Sequence, residues 1–347
     1  MPVKRTASRA AALIAACWSF AALAEPAAVP VYRQNFPDPF VVAHEGEFIA
    51  YSTNDERNLP MLKSRDLVHW TAVTGPDGKL ADGMPQLGRW ANSGRTWAPE
   101  VMQIAGKWLL YYTAADRKSR RQCVGVAVAD APTGPFLDTF SKPLVCQTQE
   151  GGTIDANPFR DSDGKLYLYY KSDGNAVGKR TFVWGQELSP DGLAVRGSPV
   201  RLIKDDKAWE WKLVEAPAMV RSPGGAYQLF YSAAFFGWEY PEERLSNYAT
   251  GYASCAGPLG PCEDAPENPI LRSFADEALG CLSGPGHPAI FQVAGRHFIA
   301  FHAWATKSGC RPAEKNRNLF IAPLYWKDGK PRIGRSLRET GPGSERG

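Results

Sequence analysis

One unit recurs five times along this chain: a proline, six residues, a glycine, then a burst of aromatic and β-branched residues. The copies begin at Pro39, Pro99, Pro158, Pro217 and Pro288. After Gly46, Gly106, Gly164, Gly224 and Gly295 they run into FIAY, WLLYY, LYLYY, YQLFY and HFIAFH. Successive prolines lie 60, 59, 59 and 71 residues apart, and the third copy is one residue shorter between proline and glycine. A long regular period marks one supersecondary unit packed repeatedly against copies of itself.

The segment after each glycine has the residue types of a strand and leads to a second strand and a turn. Matching third strands follow in copies two and four: Gly125 to Ala129 before Ala131-Pro132-Thr133-Gly134-Pro135-Phe136, and Gly251 to Cys255 before Gly257-Pro258-Leu259-Gly260-Pro261. In copy one, the polar turn Ser64 to Trp70 ends in an aromatic able to cap a neighbouring unit. Glycine and proline punctuate nearly every connection, and no stretch sustains a 3.6-residue apolar period, which argues for an all-β chain. A unit of this length supplies a four-stranded blade with long loops. Five blades closing into a ring make a single-domain β-propeller, here over residues 30–334 with a polar tail at 335–347.

Residues 1–24 read as a secretory signal. Lys4, Arg5 and Arg9 form a basic start, Ala11 to Leu23 is a short apolar run, and Ala22-Leu23-Ala24 is a small-residue cleavage site. Ile14-Ala15-Ala16-Cys17 also resembles a lipoprotein box, which would anchor the mature chain to a membrane through Cys17; otherwise no membrane contact is expected. Loss of the three basic residues takes the formal charge from +4 to +1, and the remaining Lys and Arg are scattered, so no nucleic-acid partner is expected. Six of the seven cysteines remain after cleavage, an even number that favours disulfides in a secreted or periplasmic protein. Fifteen pairings are open. Cys255 with Cys262 would staple one hairpin, while Cys123 with Cys146 and Cys281 with Cys310 stay within one repeat. A monomer is expected.

The innermost strand of each propeller blade starts at one face of the central channel, so residues just before the repeat prolines converge there. Asp38, Asp155, Glu215 and His287 hold such places. Carboxylates far apart in sequence thereby share one cavity, as glycoside hydrolysis requires: one protonates the departing oxygen and another activates water. An Asp before proline is also an ordinary turn former, but three acids at repeated places are not explained that way. Glu100 lies on the other side of its proline and is expected to face away or to support the loop. His297 and His302 are expected to pack in the core or on a face. Copy three reads Asp-Ala-Asn-Pro-Phe, which displaces its acid from its proline. The longer spacing before copy five, with Trp238-Glu239-Tyr240 and the segment near Cys281, suggests loops shaping a pocket mouth.

The segments Phe36-Pro37-Asp38-Pro39-Phe40, Trp97-Ala98-Pro99-Glu100-Val101, Ile154-Asp155-Ala156-Asn157-Pro158-Phe159, Glu215-Ala216-Pro217-Ala218-Met219 and Gly284-Pro285-Gly286-His287 resemble the successive signatures of glycoside hydrolase family 43. The resemblance implies a five-bladed enzyme that cleaves arabinose or xylose linkages with inversion, without a required cofactor. It makes Asp38 the general base and Glu215 the general acid. Asp155 becomes the group that orients Glu215 and favours its protonated form by a nearby negative charge. Inversion asks for a base–acid separation of roughly 6.5–9.5 Å. Arg317, opening the last-blade strand Arg317 to Trp326, is the arginine that reaches the sugar. Trp97 is similar to an aromatic wall of the sugar site, with blade packing as its alternative, and Phe40 joins the substrate-binding set. His287 is similar to an axial histidine that in some members binds a calcium or sodium ion. The substrates implied are arabinose- or xylose-containing oligosaccharides or polysaccharides, with α-L-arabinofuranosidase action first and endo-arabinanase action or a non-catalytic carbohydrate-binding propeller as alternatives.

Overall fold

The computed structural model describes residues 29–237, 245–276, 280–307, 310–335 and 337. The expected signal at residues 1–24, Cys17, Trp238-Glu239-Tyr240 and nearly all of the tail lie outside the described residues. No helix among the described residues is long and apolar enough to cross a membrane.

Each repeat folds as one antiparallel sheet. The innermost strands are β1 (Phe40–His44), β5 (Ala91–Ile104), β8 (Thr153–Arg160), β12 (Val214–Arg221) and β18 (Gly286–Val293). The second strands are β2 (Glu47–Tyr51), β6 (Lys107–Asp116), β9 (Leu166–Ser172), β13 (Tyr227–Ala233) and β19 (Arg296–Lys307), and they carry the aromatic bursts. The third strands are β3 (Met61–Ser64), β7 (Gln122–Ala129), β10 (Phe182–Leu188), β14 (Ala249–Cys255) and β20 (Arg311–Lys327). Outermost lie β4 (Thr71–Ala72), β11 (Val195–Lys204), β15 (Cys262–Asp264) and β21 (Lys330–Ile333), while blade two is edged by single bridges from Leu137 and Val145 to β7. A small hairpin, β16 (Phe274–Asp276) with β17 (Gly280–Leu282), fills the long spacing before blade five.

The innermost strands neighbour one another in the cycle β1, β5, β8, β12, β18 and back to β1, so five blades close a ring. The chain start helps to seal it: Val31 N–H donates to Leu319 O at 2.9 Å and Phe36 N–H to Arg317 O at 2.8 Å, both in blade five. The glycines of copies one, two and five end two-residue hairpin turns in which both residues have positive φ (Glu45 49° and Gly46 78°, Ala105 50° and Gly106 80°, Ala294 48° and Gly295 79°). That geometry matches the twist of the flanking strands, and glycine adopts it without strain.

Packing between blades follows the sequence expectations. Trp70 is buried among Ala289, Phe298 and Ile321 of blade five, which is the expected cap. In the matched third strands, a Cβ on Gly125 would stand 2.5 Å from the Trp90 ring and one on Gly251 2.8 Å from Trp209, so each glycine makes room for an indole. The three disulfides are Cys123–Cys146, Cys255–Cys262 and Cys281–Cys310.

The matched exit turns serve as latches. Tyr51 of blade one donates to Pro132 O of blade two at 2.6 Å, and Tyr169 of blade three donates to Pro258 O of blade four at 2.8 Å. Tyr51→Phe keeps the ring but leaves a buried carbonyl without its donor, an expected loss of about 1 kcal/mol. Thermal melting should fall by roughly 2 °C. Tyr169→Phe should add to it independently, because the two latches share no partner.

Candidate active site

The inner strands do not run straight into the channel. Pairing with the second strand skips two residues in each blade: Ala98 and Pro99, Asp155 and Ala156, Ala216 and Pro217, His287 and Pro288. In blade one, Pro37 O accepts from Thr53 N–H and regular pairing begins at Phe40, leaving Asp38 and Pro39 in the same place. The first skipped residue is left-handed every time, with φ of 53° at Asp38, 45° at Ala98, 56° at Asp155, 51° at Ala216 and 55° at His287. None is a glycine, so each blade holds a strained backbone at the channel mouth, where a bulge re-aims side chains.

This register corrects the sequence reading in two respects. Glu215 does not share the offset of Asp38, Asp155 and His287; it stands one residue earlier, at the place of Trp97, Ile154 and Gly286. Copy three is not displaced. Its acid has the common backbone setting, Ala156 takes the place of the other prolines, and Pro158 lies two residues further on.

Asp38, Asp155, Glu215, Trp97, Arg317 and His287 all line one cavity of about 380 Å³, together with Lys171, Asp173 and Phe236, among others. Phe40 does not line it. Lying beyond the bulge, it packs against the hydrophobic clusters between blades one and two and between blades one and five. Glu100 also stays outside the lining; it is buried and accepts Asn157 Nδ2–H at 2.6 Å, a supporting contact as expected.

Around Asp38, Oδ1 lies 3.0 Å from Arg317, 3.3 Å from His302 Nδ1 and 3.5 Å from His287 Nδ1, while Oδ2 accepts the Thr53 hydroxyl. Burial opposes ionisation of Asp38, but Arg317 and then His287 outweigh it and hold the carboxyl well below the usual carboxylate range. Arg317 is itself set between two rings, with its guanidinium 5.3 Å from Phe236 and 5.8 Å from Trp304. The Trp304 indole donates to Phe236 O at 2.9 Å. His302 is fully buried, its pKa pushed down to about 4 by burial and by Arg317, so at neutral pH its Nδ1 accepts Asp38 N–H at 3.0 Å. It is thus part of the site and not the packing residue expected from sequence. His297 does pack on a face, edge-on to Trp326.

Around Glu215, Oε2 accepts Lys171 Nζ at 2.9 Å and Oε1 accepts the Tyr248 hydroxyl at 2.8 Å. Lys171 is 1% exposed and also lies 3.6 Å from Asp173. Burial disfavours its charge, but Glu215, Asp173 and Asp155 restore it and keep the ammonium protonated. Asp155 is pushed up to about 7 by burial, with His287 opposing and the Glu215 charge adding to the rise. Its Oδ2 accepts Ala216 N–H at 2.9 Å, which pins the backbone next to Glu215.

The cavity therefore pairs an ionised carboxylate on one blade with a carboxyl held by two donors on another, and places beside the second an acid pushed up to about 7. Among the described residues, no group of three or more His, Cys, Asp or Glu is arranged to hold a metal. The acceptors of Asp38 near His287 are taken by Arg317 and Thr53. Among the described residues, His287 thus has no carboxylate cage around it for an axial ion.

Lys171, Tyr248 and His302 carried no motif. Lys171 was nonetheless visible as a charge closing the apolar run LYLYY.

A family model for glycosyl hydrolases family 43 matches residues 27–331. The chain is 28% identical to the extracellular endo-α-(1→5)-L-arabinanase 2 of Bacillus subtilis (strain 168) over 90% of its own length and 74% of the relative's. It is also 28% identical to a β-xylosidase of the same organism over 88% of its length, spanning 56% of that relative. Among solved structures, a thermostable family-43 glycoside hydrolase superposes with a TM-score of 0.73 at 27% identity, over 90% of this chain and 97% of the other. The match across all five blades settles the membership: the chain belongs to glycosyl hydrolase family 43, as an enzyme that hydrolyses O-glycosyl bonds.

Proposed function

We propose that the enzyme releases α-L-arabinofuranosyl, or β-xylosyl, units from plant polysaccharide fragments with inversion, and that it works in an exported, oxidising setting. The supporting observation is the single cavity that gathers Asp38, Asp155 and Glu215 from three different blades beside Arg317 and Trp97. In this reading Asp38 takes a proton from water as the water attacks the anomeric carbon, and Glu215 gives its proton to the departing oxygen as the glycosidic bond breaks. Asp155 orients Glu215 through the Ala216 N–H, Arg317 and His287 bind sugar hydroxyls, and Trp97 supplies an apolar wall. The similarity to an endo-arabinanase keeps internal cleavage of arabinan as the second reading. Three disulfides suit an extracellular or periplasmic protein.

The test follows product by NMR on aryl arabinofuranoside, aryl xyloside and linear arabinan. The substrate accepted decides specificity and mode of action. Inversion predicts that the first anomer seen has the configuration opposite to the substrate's, and the same configuration would overturn it.

A pH profile tests the base. Arg317 is a main cause of Asp38's low pKa, so Arg317→Met should favour protonated Asp38. Because an inactive base is the protonated one, the acid limb of kcat/KM should move to higher pH, by on the order of one unit. An acid limb unchanged in this variant would separate Asp38 from that limb.

A further inference from the structure

The left-handed residue at each blade entrance has its N–H held by the preceding blade. Ala98 N–H donates to Thr53 Oγ1 at 3.0 Å, Asp155 N–H to Thr113 Oγ1 at 3.3 Å, His287 N–H to Ser232 Oγ at 2.7 Å, and Asp38 N–H to His302 Nδ1 at 3.0 Å. The acceptors occupy one repeated position near the end of the second strand: Thr113 pairs with Trp97, Ser232 with Glu215 and His302 with Gly286, while Thr53 bonds Pro37. In blade three the same position, opposite Ile154, is Lys171. An ammonium has no lone pair and cannot accept a hydrogen bond. The Ala216 N–H is instead taken by Asp155 Oδ2 at 2.9 Å, and the lysine, released from the latch, reaches Glu215 Oε2 at 2.9 Å.

A latch broken in one blade of five, at the blade beside the proposed acid, is a local rule given up at a functional place. A buried lysine is costly unless paired, and here nearly all of its pairing is directed at groups lining the cavity. We propose that Lys171 is a positioning residue for Glu215: it fixes Oε2 at the cavity wall and supplies the positive charge against which the carboxylate is released. This rests on reading Glu215 as the general acid. When Glu215 hands its proton to the leaving oxygen and the C–O bond breaks, the carboxylate left behind forms against an ammonium that keeps its own protons. Asp38 holds the proton taken from water, so the exchange balances without a further donor. Among the described residues, the other ionisable groups around Glu215 are Asp173 beyond β9, Asp155 on β8, Tyr248 before β14, and His287, Asp38 and Arg317 across the cavity. None of these is both cationic and bonded to Glu215, as Lys171 is.

Lys171→Met and Lys171→Thr test this over a range of pH with aryl glycosides of graded leaving group. Threonine is the residue at this position in blades one and two, so the second variant returns the site to the local rule and protects the fold. Removing the positive charge favours the protonated carboxyl, so both variants should move the alkaline limb of kcat/KM to higher pH by about one unit or more. They should also slow substrates with poor leaving groups about tenfold more than activated ones, because Glu215 becomes a weaker acid. A structural role would lower all rates together and leave the limb in place, and that result overturns the proposal. A parallel Glu215→Gln variant separates the two levels. If it fails to distinguish leaving groups, the acid assignment falls and the Lys171 proposal with it; if it distinguishes them while the Lys171 limbs stay put, only the latter falls.

Discussion

Asp38→Asn is expected to slow hydrolysis by roughly 10³- to 10⁴-fold on every substrate the enzyme accepts, the scale of losing a positioned general base. Asparagine is chosen over alanine because its amide oxygen can still accept from Arg317, so the guanidinium is not left bare beside a hole. The loss should be the same for good and poor leaving groups, since deprotonating water does not become easier when the leaving group improves. It should also be relieved by azide in the smaller Asp38→Ala variant, because azide attacks without shedding a proton and fits the space vacated by the carboxylate. The product would be a glycosyl azide of inverted configuration. If activated substrates recovered most of the rate, Asp38 would be acting on the leaving group and the two roles would have to be exchanged. Thermal melting of the variant is needed beside the rates, as removal of this charge also loosens the ring: the Asp38 carboxylate ties blade one to Arg317 and His287 of blade five.

How much of this was visible in the chain depends on what kind of spacing carries it. Blade number, strand class and the second-strand aromatics follow local rules of period and turn chemistry, so they were legible, whereas the disulfide connectivity stayed open among fifteen pairings until the fold was in hand. The acids were legible too, because inner-strand starts recur once per blade. What misled was the choice of proline as the ruler. The invariant is a left-handed residue followed by one skipped residue, and proline fills the second place in four blades while Ala156 fills it in blade three. Hence Asp155 seemed displaced when it was in register, and Glu215 seemed in register when it was one residue early. The groups that support the acids come from the ends of second strands or from loops, as with His302, Lys171 and Tyr248. They reach the site only through adjacency of blades or through register, and neither leaves a motif in sequence. Phe40 shows the opposite error: it lies beside Asp38 in the chain, but the bulge between them turns it into the core.

Glu215→Ala should behave unlike the Asp38 variants, and the contrast is what assigns the pair. With aryl glycosides whose phenol is a poor leaving group, the expected loss is on the order of 10³-fold, within the range for a general acid. With a strongly acidic phenol the bond breaks without protonation, and the rate should stay within about tenfold of the unaltered enzyme. Plotted against leaving-group acidity, kcat/KM for the variant should therefore rise steeply where the unaltered enzyme is nearly flat. Part of any loss will be structural, since Lys171 is left with Asp173 at 3.6 Å as its nearest carboxylate and Tyr248 loses its acceptor. That part cancels in the ratio of rates on two substrates, because a smaller folded fraction scales both alike. The ratio is also blind to how tightly the sugar in the cavity is bound, which is common to the series. Equal losses across it would remove Glu215 from proton donation and leave Asp155, whose carboxyl is pushed up to about 7 in the same cavity, as the acid to be tested next.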